Sequence, residues 1–470
     1  MTKLAALLVA AALLAGCAAA PVAPRADRPL AAAHTPSTQQ MAQQVSVQGH
    51  RGRLTSAERQ ALLARLGAQG NATLLQRHLA AQASLGGIDL TASNDARLLL
   101  DGPATFGAMF DAIERARSSI LIESYIVEDA AIAQRLAALL AKKRAEGLDV
   151  AMIYDDVGSF ATPAAYFDGL RAAGVGVCAF NPVNPLALSN RGPSYWNITH
   201  RDHRKIVAVD RQVAYTGGIN ISAVYSSGSF GRSRPAARSA DDGWRDTHIE
   251  LRGPAAATLD DLFRQTWSGQ GCTGALKPPA PAPARTPGRH VVQVIPSAPS
   301  DEFNRIYAML LAAIDTAERS IHLTMAYFAP GQDMVDALAD AARRGVDVQL
   351  VLPSVSDFAP VLYAGQSYYD RLLAAGVRIH ELQHAVLHSK TAAIDGVLST
   401  VGSSNLDWRS FSANNEVNAV IYGDDFGDAM QRMFEQDVAA SKEVTLERWR
   451  ARGPWARLRE LAARAFEAWW

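Results

Sequence analysis

Short apolar runs of strand length alternate with longer stretches of helical periodicity, and this alternation occurs twice along the chain. The matched segments of the two halves are residues 117–126 and 319–328, 147–154 and 345–352, and 172–177 and 374–379. Helical stretches cover residues 130–145 and 332–344. Strands that alternate with helices in this way predict a parallel-rich sheet covered on both faces. We therefore expect an α/β protein of two similar domains packed face to face, with the functional site in the cleft between them.

Composition marks further segments outside and between these halves. The predicted segments are a signal peptide at residues 1–16, a flexible tether at 17–52, a helical lead-in at 53–85, a first domain at 86–275, a proline-rich linker at 276–290, a second domain at 291–445 and a C-terminal amphipathic helix at 446–470. The tether is rich in Ala, Pro, Gln and Ser, a composition that does not bury a core. The linker is semi-extended because proline restricts its backbone. With 470 residues, the chain is long enough for two domains with substantial cores.

One motif occurs twice, and its second copy follows the first by 185 residues at every matched position. The first copy consists of His203, Lys205, Asp210, Gly217, Gly218 and Asn220, and the second of His388, Lys390, Asp395, Gly402, Ser403 and Asn405. A lone His-x-Lys arises often by chance, but two complete copies with the same spacing do not. The pattern is that of the HKD motif, and the chain therefore resembles the phospholipase D superfamily.

Several segments make the chain similar to the cardiolipin synthase branch of that superfamily. These segments are residues 201–205, 244–248, 405–410 and 415–416, within a resemblance that covers about residues 90–445. The resemblance implies two phospholipase D-like α-β-α sandwich domains with the active site at their interface. It also implies a phosphatidyl transfer, in which a glycerophospholipid gives its phosphatidyl group to His203 and the hydroxyl of phosphatidylglycerol then takes it, forming cardiolipin. Phosphatidylglycerol and phosphatidylethanolamine are the expected membrane substrates, and the expected catalytic unit is a monomer.

The residue types of the motif suit reaction at a phosphodiester. Two lysines and two asparagines provide preorganised donors for the negative charge of the pentavalent transition state. One histidine attacks phosphorus while the other protonates the leaving alkoxide, and the roles reverse when the acceptor arrives. Histidine suits both tasks because its unperturbed pKa of about 6.5 is near working pH. The lysines supply the charge that a metal would otherwise supply, so we expect neither a metal nor a cofactor.

Each motif histidine also needs an acid that fixes its tautomer. In the superfamily an acid opens the apolar run that follows the motif, and the corresponding residues here are Asp246 and Glu416. The resemblance assigns the histidine-orienting role to both. We interpret Asp210 and Asp395 as structural acids within the motif, and its glycines as structural as well.

Two features distinguish the first copy from the second. Gly218 stands where the second copy has Ser403, which puts a hydroxyl contact in doubt in the first half and allows one in the second. The first half also has an insertion around residues 181–197 that is rich in turn formers and aromatic residues. Such loops often line binding sites. The sequence leaves open whether this one forms part of a substrate rim or a surface excursion.

Three other functions share part of this pattern. A phospholipase D that uses water as acceptor has the same catalytic residues and differs only in acceptor access. A phosphodiesterase or nuclease would gain from a basic surface, but 46 Lys and Arg residues balance 46 Asp and Glu residues and form no extended run. We therefore expect no nucleic acid partner. A lipid-binding scaffold without activity is disfavoured because both motifs are intact.

The N-terminus has the features of an export signal. Residues 1–3 give a short positive start, and residues 4–15 form an apolar stretch that is too short to cross a bilayer as a stable helix. The Leu-Ala-Gly-Cys sequence that ends at Cys17 resembles the bacterial lipoprotein signal, which is cleaved before a cysteine that is then acylated. We expect a lipid-anchored protein of the cell envelope that faces the periplasm, and Ala18 favours the outer membrane over the inner one.

Two further features have alternative interpretations. Cys178 and Cys272 could pair in an oxidising compartment or remain free thiols. The residues that recur at helical spacing near the C-terminus are Trp455, Leu458, Ala462, Phe466 and Trp469. Charged residues fall on the other side of this helix. Such a helix suits a membrane interface, but it could equally pack on its own domain.

Overall fold

The computed structural model describes residues 37–66, 71–85, 88–183, 199–229, 243–274, 276–279 and 288–467. The predicted signal peptide and Cys17 lie outside the described residues, as do most of the first-half insertion and the centre of the proline-rich linker. No helix in the described ranges is long and apolar enough to span a bilayer.

The N-terminal segment and the first half alternate strands and helices, as the sequence predicts. The strands are β1 (Val45–Gly49), β2 (Gly52–Arg53), β3 (Ile88–Leu100), β4 (Ser119–Ser124), β5 (Asp149–Asp155), β6 (Gly176–Phe180), β7 (Arg201–Asp202), β8 (Lys205–Val209), β9 (Val213–Gly217) and β10 (Thr247–Arg252). The helices are α1 (Thr38–Gln44), α2 (Ser56–Leu66), α3 (Ala72–Ala83), α4 (Asp101–Arg115), α5 (Ala131–Ala145), α6 (Ala164–Ala172) and α7 (Pro254–Gly269). Pro254 occupies the first position of α7, where the missing N–H of proline costs no helical hydrogen bond.

The second half repeats this order and adds short helices at its end. The strands are β11 (His290–Ser297), β12 (Ser320–Met325), β13 (Asp347–Pro353), β14 (Arg378–Leu382), β15 (Lys390–Ile394), β16 (Leu398–Gly402), β17 (Asn414–Tyr422) and β18 (Ser441–Val444). The helices are α8 (Arg305–Thr316), α9 (Gly331–Arg343), α10 (Ala359–Gln366), α11 (Tyr369–Ala374), α12 (Trp408–Ser412), α13 (Asp424–Ala439), α14 (Leu446–Arg450) and α15 (Pro454–Ala465). The Asn304 side chain caps α8 because its Oδ1 accepts a hydrogen bond from Tyr307 N at 2.8 Å.

The two sheets share one strand order. The first is β3–β10–β9–β8–β4–β5–β6, and the second is β11–β17–β16–β15–β12–β13–β14. Only β4–β5–β6 and β12–β13–β14 run parallel, so each sheet is mixed and not parallel-rich. The difference arises because each motif forms a tight hairpin. Asp210 and Arg211 turn the first with positive φ, and Asp395 and Gly396 turn the second.

The halves pack face to face, which confirms the predicted architecture. The central hydrophobic core contains Leu259 and Phe263 of α7, Met430 of α13, and inward side chains from both sheets such as Ile153 and Val417. Helices α4, α5 and α6 cover the outer face of the first sheet. Helices α8 and α9 cover the outer face of the second. Because both faces of each sheet are covered, an accessible site is expected at the strand ends, where the two halves meet.

The predicted domain boundaries need correction at the N-terminus. Residues 37–52, which we expected to be part of a flexible tether, contain α1 and β1, and Met41, Val45 and Val47 are buried. They pack in the same core as the second half, together with Leu75 and Leu79 of the helical lead-in. Strand β3 joins the two sheets, since its start pairs with β1 and β11 and its end with β10. Met41, Val45 and Val47 are therefore enough to order this Gln- and Ser-rich segment, because β1 pairs with β3 and these side chains pack in the adjoining core.

The C-terminal and linker predictions also change. The C-terminal segment forms two helices, α14 and α15, because Gly453 and Pro454 interrupt the path of a single helix. His290, expected to end the linker, begins β11. Cys178 and Cys272 form a disulfide that joins β6 to the residues after α7, which resolves the alternative left open by the sequence.

Candidate active site

The two motif histidines lie close together because a short segment of each half pairs with the backbone of the other half. His203 follows β7, which pairs with β17 of the second half, and His203 N donates to Asn415 O at 3.0 Å. In the matching place His388 N donates to Arg245 O at 2.8 Å, and Arg245 bridges to Leu387. Each histidine therefore lies beside the segment that carries the acid of the other half.

A cavity of about 360 Å³ opens between the halves at this point. Its lining residues are Tyr125, Ile126, His203, Asn220, Trp244, Tyr327, Asp357, Phe358, Val361, His388, Asn405, Asp407, Arg409 and Asn414. Both motif histidines and both motif asparagines are among them. The structure thus brings the predicted histidines and asparagines of the two halves into one pocket.

The first acid–histidine pair joins His203 to Glu416. Nδ1 of His203 lies 3.0 Å from Oε1 and 3.1 Å from Oε2 of Glu416, which is fully buried. The Ser403 hydroxyl donates to the same carboxylate and accepts a hydrogen bond from Val417 N at 3.0 Å. Among the described residues, Nε2 of His203 has no hydrogen-bond partner. The ring is therefore fixed at Nδ1 and available at Nε2.

The second pair joins His388 to Asp246. Nδ1 of His388 lies 2.8 Å from Oδ2 of Asp246 and 3.0 Å from the Tyr225 hydroxyl. Nζ of Lys390 lies 2.9 Å from Nδ1 and 3.1 Å from Nε2 of this ring, so a cation lies close to both ring nitrogens. The two predicted orienting acids thus serve the histidines of the opposite halves.

Gly218 is required by the position of Asp246. A Cβ atom at residue 218 would lie 2.2 Å from Oδ1 of Asp246. The carboxylate also accepts a hydrogen bond from Thr247 N at 2.7 Å, whereas in the second half the equivalent N–H of Val417 donates to Ser403. The hydroxyl contact that the sequence put in doubt is therefore absent from the first half and present in the second.

The motif lysines are fully buried beside the histidines. Nζ of Lys205 donates to His203 O at 2.6 Å, and Nζ of Lys390 donates to His388 O. Oδ1 of Asn220 accepts a hydrogen bond from Ile126 N at 3.1 Å. Oδ1 of Asn405 is buried without a partner among the described residues. The two asparagines line the pocket and the two lysines are buried next to its histidines, an arrangement that suits an anionic group.

Burial disfavours the charged form of the ionisable groups in the site and shifts their pKa values accordingly. It lowers the pKa of Lys205 to about 7 and that of Lys390 to about 8. It raises the pKa of Glu416 to about 7, against the opposing charge of Lys205. Burial and then the two lysine charges lower the pKa of His203 well below 6.5. Burial and the Lys390 charge also lower the pKa of His388, while Asp246 opposes that shift.

Asp210 and Asp395 lie away from the pocket and bind backbone. Asp210 accepts hydrogen bonds from the N–H groups of residues 117–119 at 2.7–2.9 Å. Asp395 accepts them from residues 318–320 at 2.7–3.1 Å, and its Oδ2 also lies 2.9 Å from Nε2 of the buried His78. Each acid therefore ties the motif hairpin to the start of the strand beside it.

Several pocket residues were missed by the sequence reasoning. Tyr125 and Tyr327 occupy matched positions just after β4 and β12, and their rings lie 5.0 Å from His203 and 6.3 Å from His388. The alignment of residues 117–126 with 319–328 contained this signal, since both segments carry the tyrosine. Tyr225 had no such signal because its contact with His388 joins residues far apart in the chain.

Two further pocket residues add charge at the mouth. Both oxygens of Asp357 accept hydrogen bonds from the Tyr327 hydroxyl at 2.8 Å. Arg409 follows the second motif and also lines the pocket. The pocket therefore presents the Arg409 cation for a phosphate and the Asp357 carboxylate for a group that donates hydrogen bonds, while the second lining carboxylate, the buried Asp407, caps α12 by accepting a hydrogen bond from Ser410 N at 2.8 Å.

Buried ion pairs hold the segments that carry the histidines. Arg245 binds Asp437 of α13 through Nε at 2.7 Å and Nη2 at 2.9 Å, which joins the halves. Arg201 reaches Asp155 at 3.4 Å, and Asp155 accepts a hydrogen bond from Asp202 N at 2.8 Å. Among the described residues no cluster of three His, Cys, Asp or Glu side chains could hold a metal ion.

Comparisons with known proteins agree with this architecture. A family model described as "Cardiolipin synthase, PLD-like domain" matches residues 109–228 and 310–438. Cardiolipin synthase 2 of Bacillus anthracis is 35% identical over 370 residues, which are 78% of this chain and 69% of that protein. Cardiolipin synthase A of Pseudomonas fluorescens is 36% identical over 370 residues, which are 78% of this chain and 74% of that protein. The crystal structure of phosphatidylserine synthase from Haemophilus influenzae superposes with a TM-score of 0.59 at 13% identity, covering 83% of this chain and 99% of its own, and so shares the fold.

Proposed function

This chain belongs to the cardiolipin synthase family with phospholipase D-like domains, and we propose that it transfers a phosphatidyl group to phosphatidylglycerol to make cardiolipin. The observation that carries the proposal is that both motif histidines line one pocket and that each is paired with the acid of the other half and lies beside the buried lysine of its own motif. Phosphatidylglycerol or phosphatidylethanolamine serves as donor.

In the first step, Nε2 of His203 attacks the phosphorus of the donor lipid. A P–N bond forms, and the P–O bond to the headgroup alcohol breaks. His388 gives a proton to the leaving alkoxide, and the phosphatidyl group remains on His203. The free Nε2 of His203 supports this assignment, because Glu416 holds the ring at Nδ1 and leaves the other nitrogen available for attack.

In the second step, the hydroxyl of the acceptor attacks the same phosphorus. His388, now neutral, takes the hydroxyl proton, the new P–O bond forms and the P–N bond breaks. Lys205, Lys390, Asn220 and Asn405 bind the equatorial oxygens in both transition states, so charge is stabilised without reorganisation.

Asp357 gives the pocket a means of selecting the acceptor. Its carboxylate repels phosphate but accepts hydrogen bonds from a glycerol hydroxyl, and Tyr327 holds it in place. Asp357→Asn should raise the KM for phosphatidylglycerol by about tenfold, while cleavage of the donor changes little. An unchanged KM for the acceptor would remove Asp357 from this role.

The localisation is a second part of the proposal. We propose that Cys17 is acylated and holds the protein in the bacterial envelope, facing the periplasm, with the outer membrane favoured. The disulfide between Cys178 and Cys272 supports an oxidising compartment. Cys17→Ala should abolish incorporation of labelled fatty acid. Incorporation that continues in this variant would contradict the anchor.

The decisive assay for the function incubates the protein with phosphatidylglycerol vesicles and identifies the products by mass spectrometry. The proposal expects cardiolipin and free glycerol, with activity that survives dialysis against a strong chelator. Phosphatidic acid as the main product would indicate a hydrolase. Complete loss with chelator, restored by one divalent ion, would overturn the lysine-based chemistry.

A further inference from the structure

Large apolar side chains are exposed at only a few places among the described residues. They are Val157, Phe160, Phe358, Trp455, Leu458, Leu461 and Phe466. The first two lie in a loop after β5, the third in the loop after β13, and the rest in or directly after α15. Exposed apolar groups that gather in this way mark an interaction surface.

The two loops occupy matched positions on either side of the cavity. Phe160 lies five residues after the end of β5, and Phe358 lies five residues after the end of β13. The first loop packs on Tyr125, since the Ser159 hydroxyl donates to Tyr125 O at 3.2 Å, and Tyr125 lines the pocket. Phe358 lines the pocket itself. Phe358 of the second half therefore lies at the pocket, and Phe160 of the first half, which is 81% exposed, belongs to a loop that packs on a pocket residue.

Helix α15 extends this surface and is oriented opposite to an ordinary surface helix. Its packed side carries Glu460 and Ala463, which are buried, together with Arg459 and Arg464, whose guanidinium groups lie over tyrosine rings beside α10. The side that faces solvent carries the apolar residues, and Trp455 is 80% exposed. A soluble helix buries its apolar stripe. In α15 the apolar stripe instead faces solvent and is available to an apolar partner.

Helix α15 lies beside the pocket lining, and the C-terminal segment that contains it is basic. Ala463 packs with Val361 of α10, and Val361 also lines the cavity. Between residues 446 and 465 there are six arginines and two glutamates, which gives a net charge of +4. Tryptophan with nearby arginine is typical of segments that lie at the surface of an anionic bilayer.

We propose that Phe160, Phe358 and the apolar side of α15 form one docking surface, which inserts into the surface of a bilayer that contains anionic phospholipid. The proposal rests on the proposed function, because it presents the pocket mouth to the layer from which the lipid substrate comes. A second copy of this chain is the other possible occupant, but it would cover the mouth that a lipid must enter.

The direct test measures quenching of tryptophan fluorescence by lipids brominated on their acyl chains. The full-length protein is bound to phosphatidylglycerol vesicles, and Trp455 is isolated as the difference between wild type and Trp455→Phe. Trp449 is the matched control, isolated with Trp449→Phe, because it is buried under Arg452 and against Tyr369. We expect strong quenching of Trp455 and none of Trp449. Phe160→Trp should add a second quenched signal, from the other side of the mouth.

Quenching that is absent for both Trp455 and Phe160→Trp would overturn the proposal. Equal quenching of Trp449 would overturn it as well, because only unfolding on the vesicle exposes that ring. A dimer in solution that dissociates in Trp455→Ser, together with no quenching, would assign the surface to a second copy.

A kinetic arm separates docking from chemistry. The variant Phe160→Ser with Trp455→Ser and Leu458→Ser should react about tenfold more slowly on vesicles and at the wild-type rate on short-chain lipid below its micelle concentration. The matched variant Phe160→Leu with Trp455→Phe should retain the vesicle rate. Equal rates of the serine variant and wild type on vesicles would overturn the proposal, and so would equal losses on both substrates. If wild type makes no cardiolipin from either substrate, the proposed function fails, while the quenching result still decides the docking.

Discussion

The two acid–histidine pairs have the same connectivity but different support. In the His203 pair, the Ser403 hydroxyl donates a hydrogen bond to Glu416 and accepts one from Val417 N. In the His388 pair, the shorter Asp246 takes the backbone N–H directly, and Gly218 leaves it the space. Glu416 is one methylene longer than Asp246 and has the Ser403 side chain behind it, where Asp246 has Gly218. Both acids lie 2.8–3.1 Å from Nδ1 of their histidines.

The comparison explains how one repeat came to serve two roles. The Nε2 atom of His203 has no partner among the described residues, whereas Nζ of Lys390 lies close to both ring nitrogens of His388. A free lone pair suits a nucleophile. A ring flanked by a cation and by the Tyr225 hydroxyl suits proton exchange with the leaving and entering oxygens. The halves share a fold, and the proposed mechanism divides the chemistry between them.

The largest effect should come from removal of either histidine. His203→Ala and His388→Ala should each lower the rate of cardiolipin formation roughly 10⁴-fold or more, because nucleophile and acid act as a unit. The exposed His384 provides the control, and His384→Ala should keep the wild-type rate. Rates are measured from the lipid products by mass spectrometry. A histidine variant that keeps a tenth of the activity would contradict the shared role.

The next effect concerns the crossed acids. Glu416→Gln and Asp246→Asn should each cost about 10²-fold to 10³-fold, since an amide cannot accept the Nδ1 proton in the same way and selects the wrong tautomer. The exposed Glu435→Gln is the control. Each change should be assayed with donors that have good and poor leaving groups. If His388 is the acid, a good leaving group should restore much of the loss in Asp246→Asn and little of the loss in Glu416→Gln. The reverse pattern would exchange the two roles.

A smaller effect tests the support behind each acid. Gly218→Ser places a Cβ where the Asp246 carboxylate lies, so we expect a loss of about tenfold to 100-fold. Ser403→Gly removes one hydrogen bond to Glu416 and should cost about tenfold. Combining Gly218→Ser with Asp246→Glu copies the second pair into the first, so this double variant should be more active than Gly218→Ser alone. A double variant that is less active would mean that the two supports are not interchangeable.

The pH dependence should show the smallest effect and depends on the buried charges. Glu416, with its pKa raised to about 7, loses its charge below that pH, so kcat/KM should fall on the acid side. Lys205 and Lys390, with pKa values of about 7 and 8, lose their charge as pH rises, so kcat/KM should also fall on the alkaline side. Bound anionic lipid stabilises the charged lysines and should move the alkaline limb of kcat to higher pH. In Glu416→Gln the acid limb should move down, and an unchanged acid limb would contradict the assignment.

The repeat and the motif allowed much of this molecule to be predicted from sequence. Matched strands identified both halves, and the spacing of the motifs identified the residues that meet in the pocket. The crossing of Asp246 and Glu416 was not predictable, because the pairing of β7 with β17 is a contact between halves that no local pattern encodes. The hairpin that makes each sheet mixed had a signal in the Asp395–Gly396 turn. The buried N-terminal segment had none, since its apolar residues gain their partners from β3, the helical lead-in and the second half, which are distant in sequence.

The most direct test of the two-histidine account is to map the covalent intermediate. His388→Ala is incubated with a labelled phospholipid whose headgroup is a good leaving group, quenched at alkaline pH and digested, and the labelled peptide is sequenced by mass spectrometry. The account predicts a phosphatidyl adduct on His203 in this variant and no adduct in His203→Ala. The account would be contradicted if His203→Ala carried an adduct on His388 and His388→Ala carried no adduct on His203.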